Sequence, residues 1–405
     1  MLSHLSNLMN RSRKILVSSI ALWMAATAEA QFFDPFDGAK IDGWFTMTGD
    51  GVAKIELVPR DGFARMQIDG TADRHNVWWT LIKRDVTSFV DLEQLQDPAH
   101  ELRVEARIRV SHAPRRVNFM VNTQRTTDFH QHLREYDIPD ADGWHTISMT
   151  TRDLDARPGD SLFVQLAATD WGPGKYHVDV DYYRAEVVRR DEAKPDVGEP
   201  LIYHPDVGDV ARFTHHLAPA HDSVIDSDFP DVNFNDWQVE DRMGAARILA
   251  IGGTQAAVLR WDFTAFRGIK ADGAGVLELT TWAAPRGGNY VQAYGEDLGV
   301  EFGKIRVFEI LAGNAAWEQE TVTYRNLLDG QNPADVFNSQ TTIDLDVASK
   351  RGERTYLTLP RPVMQRLIDG RTKGLVIRPL GAMAASIYAS ESGETGPKLH
   401  FTMKP

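Results

Sequence analysis

The chain has 405 residues, no Cys, 42% hydrophobic and 25% charged residues, and 44 Lys+Arg against 57 Asp+Glu, a formal charge of −13. That length suits two or three domains of about 150 residues each, and the apolar fraction is enough for real cores, which excludes a disordered chain. The acidic balance argues against a nucleic-acid partner, because phosphate binding needs basic side chains to displace condensed counterions. The missing Cys excludes disulfides, zinc-thiolate sites, Fe–S clusters and thiol nucleophiles.

Residues 1–30 read as a signal peptide. Arg11, Arg13 and Lys14 form a positive start, Ile15 to Ala26 a mostly apolar stretch, and Ala28-Glu29-Ala30 a small-residue end. The apolar run is about 12 residues against the ~20 a bilayer needs, so it predicts cleavage near Ala30 rather than an anchor. The expected product is secreted, periplasmic or on the cell surface, with no integral membrane segment in the mature chain and a charge near −15. Export without Cys points to a bacterial source.

From Gln31 to about Arg190 the chain alternates. Leu102 to Val110, Val117 to Gln124 and Tyr176 to Tyr182 each place apolar residues at every second position, the period of a half-buried strand. Asp142-Gly143 and Pro158-Gly159 punctuate such runs, and Ser88 to Gln96 hints at a short helix. This spacing predicts a β jelly roll over residues 31–190, either glycan-binding or catalytic. Residues 191–205, polar and rich in Pro and Gly, read as a linker. Splitting the charge at Pro195 leaves −7 for residues 31–195 and −8 for 196–405. Over 206–405 the alternation returns in Ala257 to Phe263, Gly275 to Thr280, Ile305 to Ile310 and Lys398 to Thr402, while Pro362 to Asp369 has helical spacing closed by Gly370. The expected fold is all-β, with two β-sandwich (jelly-roll) domains in tandem after a signal peptide.

Residues 118–136 hold the densest polar chemistry. Asn118, Asn122 and Gln124 share the polar face of one strand, and Arg125, His130, His132, Arg134 and Tyr136 follow. A lyase acting on uronate sugars needs an amide or cation at the carboxylate, a base for the α-proton and an acid for the leaving oxygen. His130, His132, Tyr136, Asn122 and Arg125 supply those types. Without catalysis, Trp78 (or Trp79), Asn118, Gln124 and Arg134 suit a sugar-binding groove equally well. His130, His132 and Glu135, with His75 or His145, also resemble a metal set, although their spacing is not that of a cupin. The residues point to no definite cofactor. Structural calcium is the candidate, on Asp179 and Asp181 or on Asp226, Asp228 and Asp231, though turn carboxylates are usually just solvated.

The succession HDSVIDSDFPDVNFND, LAIGG, AVLRWDF, GVLELTTW and Trp317 to Tyr324 then leads to Ile343 to Val347, Lys373 to Arg378, Ile387 to Glu391 and Pro397 to Leu399. Over roughly 218–404 it resembles the DNRLRE domain, classed with carbohydrate-binding module family 96. The resemblance implies a β-sandwich associated with acidic polysaccharides such as alginate. The insertion Ala283 to Phe302 departs from the family pattern. In that frame Arg260, Arg378 and Glu391 read first as an internal ion pair and second as a clamp on a uronate carboxylate. Trp317 reads as a core aromatic. The leading expectation is an exported polysaccharide-binding protein for acidic, alginate-like glycans. The alternatives are a polysaccharide lyase or hydrolase targeted by its second domain, and a surface structural protein.

Overall fold

The computed structural model describes residues 31–49, 52–72, 78–126, 131–170, 174–202, 209–241, 244–284, 304–380 and 383–404. The expected signal peptide, His75, His130 and most of the insertion Ala283 to Phe302 lie outside the described residues.

The first half contains strands β1 (Gln31–Asp34), β2 (Trp44–Thr48), β3 (Lys54–Arg60), β4 (Phe63–Asp69), β5 (Trp78–Asp85), β6 (His100–Val110), β7 (Arg115–Thr123), β8 (His132–Ile138), β9 (His145–Thr150), β10 (Leu162–Asp170) and β11 (Lys175–Arg189). One antiparallel sheet runs β3-β4-β11-β6-β9 with β1 on β11, and the other runs β2-β5-β10-β7-β8. The alternation read from the sequence decides what lies between them. Val104, Ala106 and Ile108 of β6 meet Val117, Phe119 and Val121 of β7 in one core that also holds Tyr136 and Tyr183. Ser88 to Gln96 forms two 3₁₀ turns, Thr87–Phe89 and Gln94–Gln96.

The second half follows with β12 (His215–Leu217), β13 (His221–Asp226), β14 (Gln238–Asp241), β15 (Gly244–Gly252), β16 (Gln255–Arg260), β17 (Gly275–Ala283) and β18 (Lys304–Ile310). Then come α1 (Tyr324–Leu328), α2 (Pro333–Val336), β19 (Phe337–Asp346), β20 (Arg354–Leu359), α3 (Arg361–Ile368), β21 (Leu375–Leu380), β22 (Ala384–Tyr388) and β23 (Lys398–Phe401). Strand β17 belongs to both layers. Its first six residues pair with β20, and beyond a bulge near Thr281 it pairs with β22, so the two faces join through one strand. Bulges turn a strand in this way by leaving one residue unpaired. Trp317 is 1% exposed in a smaller core beneath α1 and α2. The molecule is all-β, two sandwiches in tandem, as the periodicity predicts.

Residues 191–202, expected as a linker, dock in the gap between β8 and β9, the edge strands of the two sheets. Asp137 N–H donates to Glu199 O at 2.9 Å, Leu201 N–H to Glu135 O at 3.0 Å, and Ser148 N–H to Val197 O at 3.0 Å. The Asp196 carboxylate accepts from the Thr150 amide and hydroxyl and from Arg103. Gly198 has φ +105°, and a Cβ there would sit 2.7 Å from the Tyr136 ring, so only glycine passes this close. Backbone groups that would leave two sheet edges open are thereby paired.

The sandwiches meet through polar groups. Arg366 of α3, 3% exposed, donates from Nε and Nη2 to Glu309 of β18, each at 2.8 Å, and from Nη1 to Asp137 of β8 at 2.8 Å. Thr372 and Asn338 donate to the same Glu309 at 2.6 and 2.9 Å. Arg361 pairs with Glu199, and Arg371 donates to Pro139 O at 2.8 Å. Strand β19 lies against β7 and β10.

Candidate functional site

The polar patch at 118–136 is dispersed by the fold. Tyr136, 1% exposed, faces the first core, its ring edge-on to Phe119 and its hydroxyl donating to Ser148 O. Burial pushes its pKa well above the ordinary tyrosine range. It therefore cannot be the proton donor of a lyase, which corrects the expected catalytic set. Arg125 is clamped by Asp160 and Asp155, and Gln124 bridges Asp160 and Ser161, so both brace a turn. Arg134 pairs with Asp196. His132 is half-buried, and desolvation lowers its pKa. Trp78 begins β5 opposite Asp170.

Asn118 and Asn122 do share one face of β7, opposite to Phe119. That face is not an open groove: both residues and neighbouring Gln165 are buried where β19 of the second sandwich crosses, and Gln165 Nε2 donates to Asn122 Oδ1 at 2.7 Å. A polar strand face serves a partner sheet as well as it serves a sugar, and strand period alone does not distinguish the two.

The candidate metal sets are also occupied. Glu135 pairs with Arg116 and His145 with Asp140. Buried Asp179 is gripped by Arg65 at 2.7 Å and Arg109 at 2.8 Å, which hold it ionised against the desolvation that opposes ionisation. Asp181 takes Arg107, and Asp231 takes Arg325. Asp226 accepts from Thr254 and from the Asp228 amide. Among the described residues no group of three or more His, Asp or Glu side chains is arranged to hold a metal.

A cluster of positive charge lies instead in the second sandwich. A cleft of about 380 Å³ is lined by His221, Arg260, Asp262, Arg267, Lys373 and Gly374, among others. Arg260 ends β16 over the buried Trp317 ring, with its guanidinium 5.6 Å from the ring centroid. Its Nε is buried without a hydrogen-bond partner among the described residues, and its Nη1 makes only a 3.5 Å contact to Ala315 O. Desolvation lowers the Arg260 pKa. The expected internal ion pair with Glu391 does not form, because Glu391 is taken by Arg247 at 3.0 Å and by Gln319. Arg378 is exposed on β21, opposite Arg306. Lys373 Nζ donates to Gly370 O at 2.6 Å, and Gly374, at φ +147°, lets the chain pass where a Cβ would meet Leu259 O at 2.4 Å. Burial, and then Arg260, lower the His221 pKa, so the ring is neutral near pH 7. Sequence pattern singled out Arg260 but missed Arg267, Lys373 and His221, which lie far apart along the chain.

Beside His221, Asp222 accepts from the Ser390 amide at 2.8 Å and hydroxyl at 3.1 Å, and burial pushes its pKa up to about 6. A carboxyl raised in the folded state favours folding while protonated. Its contribution is present below about pH 4 and is lost as pH rises through about 6, by roughly 3 kcal/mol at most. Asp222→Asn should therefore gain stability relative to the wild type between pH 4 and pH 7, as read by urea unfolding at both. A difference independent of pH would show that Asp222 titrates normally.

No family model matches the chain, and no curated protein matches it. Among solved structures the chain is similar to the family 11 carbohydrate-binding module from Clostridium thermocellum, at 17% identity and a TM-score of 0.25 over 38% of this chain and 95% of that one. The CBM22-1 xylan-binding domain from Paenibacillus barcinonensis Xyn10C matches at 15% identity and a TM-score of 0.26, over 39% and 94%. The tandem CBM22-1-CBM22-2 structure from the same enzyme matches at 12% identity and a TM-score of 0.27, over 94% of this chain and all of that one.

Proposed function

We propose that the protein binds an acidic, uronate-type polysaccharide through the cationic cleft of its second sandwich and holds it without cleaving it. The observation that carries this reading is Arg260. Its guanidinium is partly desolvated, its Nε is unpartnered among the described residues, and it stands beside Arg267 and Lys373; Asp262 lines the same cleft and Glu318 acts on it from nearby, yet neither forms an ion pair with it, which leaves the fork open to a ligand carboxylate. The resemblance of residues 218–404 to the DNRLRE domain supports the same ligand class. Binding rather than lyase chemistry is favoured because Tyr136 is sealed in a core and Arg125 is committed to Asp155 and Asp160. The export expected from residues 1–30 would bring the chain to such polymers.

The test is affinity electrophoresis of the full chain in gels containing sodium alginate, polygalacturonate or neutral dextran. Retardation is expected in the first two only. It should fade as the Debye length falls from about 10 Å at 0.1 M salt to about 3 Å at 1 M. Ultraviolet absorbance from unsaturated uronate ends should not rise on incubation. Equal mobility in all three gels would remove the reading, and rising absorbance would restore a lyase.

A further inference from the structure

Among the described residues, a second hollow, of about 600 Å³, opens on the first sandwich where residues 193–196 cross between β8 and β9. Its size lies in the ~300–1,000 Å³ range of small-ligand sites. Four Arg and Lys side chains line it, Arg134, Arg152, Arg190 and Lys194, against two carboxylates, Glu101 and Asp196, in a half of the chain whose net charge is −7. Both carboxylates are neutralised within the frame. Asp196 is shared by Arg103, at 3.0 Å, and Arg134. Glu101 is held by Arg190 at 2.8 Å. Arg152 and Lys194, both exposed, form no ion pair with any described residue. Leu133, 38% exposed, and Pro195 add an apolar wall.

We infer that this hollow is a second anion-binding site, with Arg152 and Lys194 taking the carboxylates of a uronate polymer and Leu133 and Pro195 facing its sugar ring. The polymer class rests on the reading proposed for the cleft, whereas the site itself does not. Arg134, Arg103 and Asp196 fix the walls before any ligand arrives, so side-chain ordering on binding is confined to Arg152 and Lys194. The buried Arg366 cluster ties the two sandwiches together. One long polymer can then engage both sites on a fixed frame, the second contact being intramolecular.

The experiment is calorimetric titration of the full chain with a short mannuronate oligomer and with long alginate. The proteins compared are the wild type, Arg152→Ala/Lys194→Ala, Arg260→Gln and the triple variant, each with its unfolding midpoint measured to confirm folding. The wild type should take about two oligomers per chain, each partial variant about one, and the triple variant none. Loss of either site should weaken long alginate by at least about 10²-fold through lost avidity. An Arg152→Ala/Lys194→Ala protein with wild-type stoichiometry would overturn this inference and leave the cleft intact. Unchanged stoichiometry in Arg260→Gln, with loss in the other variant, would overturn the cleft and leave this site standing. No binding by the wild type would overturn both.

Discussion

Replacing Arg366 with Met is expected to lower the stability of the full chain by about 3–5 kcal/mol, the usual cost of leaving a buried charge without its partner. The side chain is nearly isosteric along its stem, so packing is largely kept and the loss reports the charge. Glu309 depends on Arg366 most: desolvation opposes its ionisation, yet the guanidinium, Thr372 and Asn338 hold it below the usual carboxylate range. Asp137 stands on the other side of the same guanidinium, and burial pushes its pKa up. One cation facing two carboxylates leaves a surplus negative charge, and Glu309 adds to the burial that opposes ionisation of Asp137. Asp137→Asn should therefore cost under about 1.5 kcal/mol at neutral pH, because the amide keeps an acceptor for Arg366 without the charge. Urea unfolding followed by tryptophan fluorescence reads both variants. The Met variant should also split one transition into two as the sandwiches lose their shared cluster. Equal cost for Arg366→Met and Asp137→Asn would show that the cluster works by shape rather than charge.

Arg260→Gln should lower the affinity of the cleft for a short mannuronate oligomer roughly 10–100-fold, equivalent to the 1.5–3 kcal/mol of a hydrogen bond to a charged group. Arg260→Lys should fall between, since it keeps the charge and loses the fork. Stability should move the other way. Because burial disfavours the charged guanidinium, the Gln variant is expected to unfold at the same or a higher urea concentration. This pairing of weaker binding with undiminished stability separates a ligand clamp from a structural arginine. A Gln variant that binds as well as the wild type but unfolds earlier would return Arg260 to the structural role that the family resemblance first implied.

Local pattern carried the secondary structure because burial on one face imposes a period that a single sequence displays. The strands around Val104, Phe119, Leu277 and Val307 lie where their alternation places them, and Gly370, at φ +72°, follows the helix it was expected to close. The boundary near Pro195 was visible as a change in composition, but not that Asp196 and Gly198 seat the segment between β8 and β9. Hydrogen bonds from Thr150, Ser148 and Arg103 decide that, and they come from residues about 45 to 93 positions away.

The residues expected to act together at 118–136 illustrate the limit most plainly. Proximity in sequence suggested one groove, whereas strand alternation sends Tyr136 into the core and Asn122 to the opposite face, beneath β19. Arg260 could be named as a candidate from its place in the second half, but its neighbours could not, since His221, Arg267 and Lys373 arrive from a strand, a loop and the turn after α3. The sequence by itself determined the all-β class, the tandem arrangement and the acidic balance, because these follow from periodicity, length and composition summed over many residues. The fold alone sets which polar side chains are neutralised by distant partners, such as Glu309 by Arg366, and which, such as Arg260 at its Nε, have no hydrogen-bond partner among the described residues. That choice depends on desolvation and on distances between segments remote along the chain, and no local pattern encodes either.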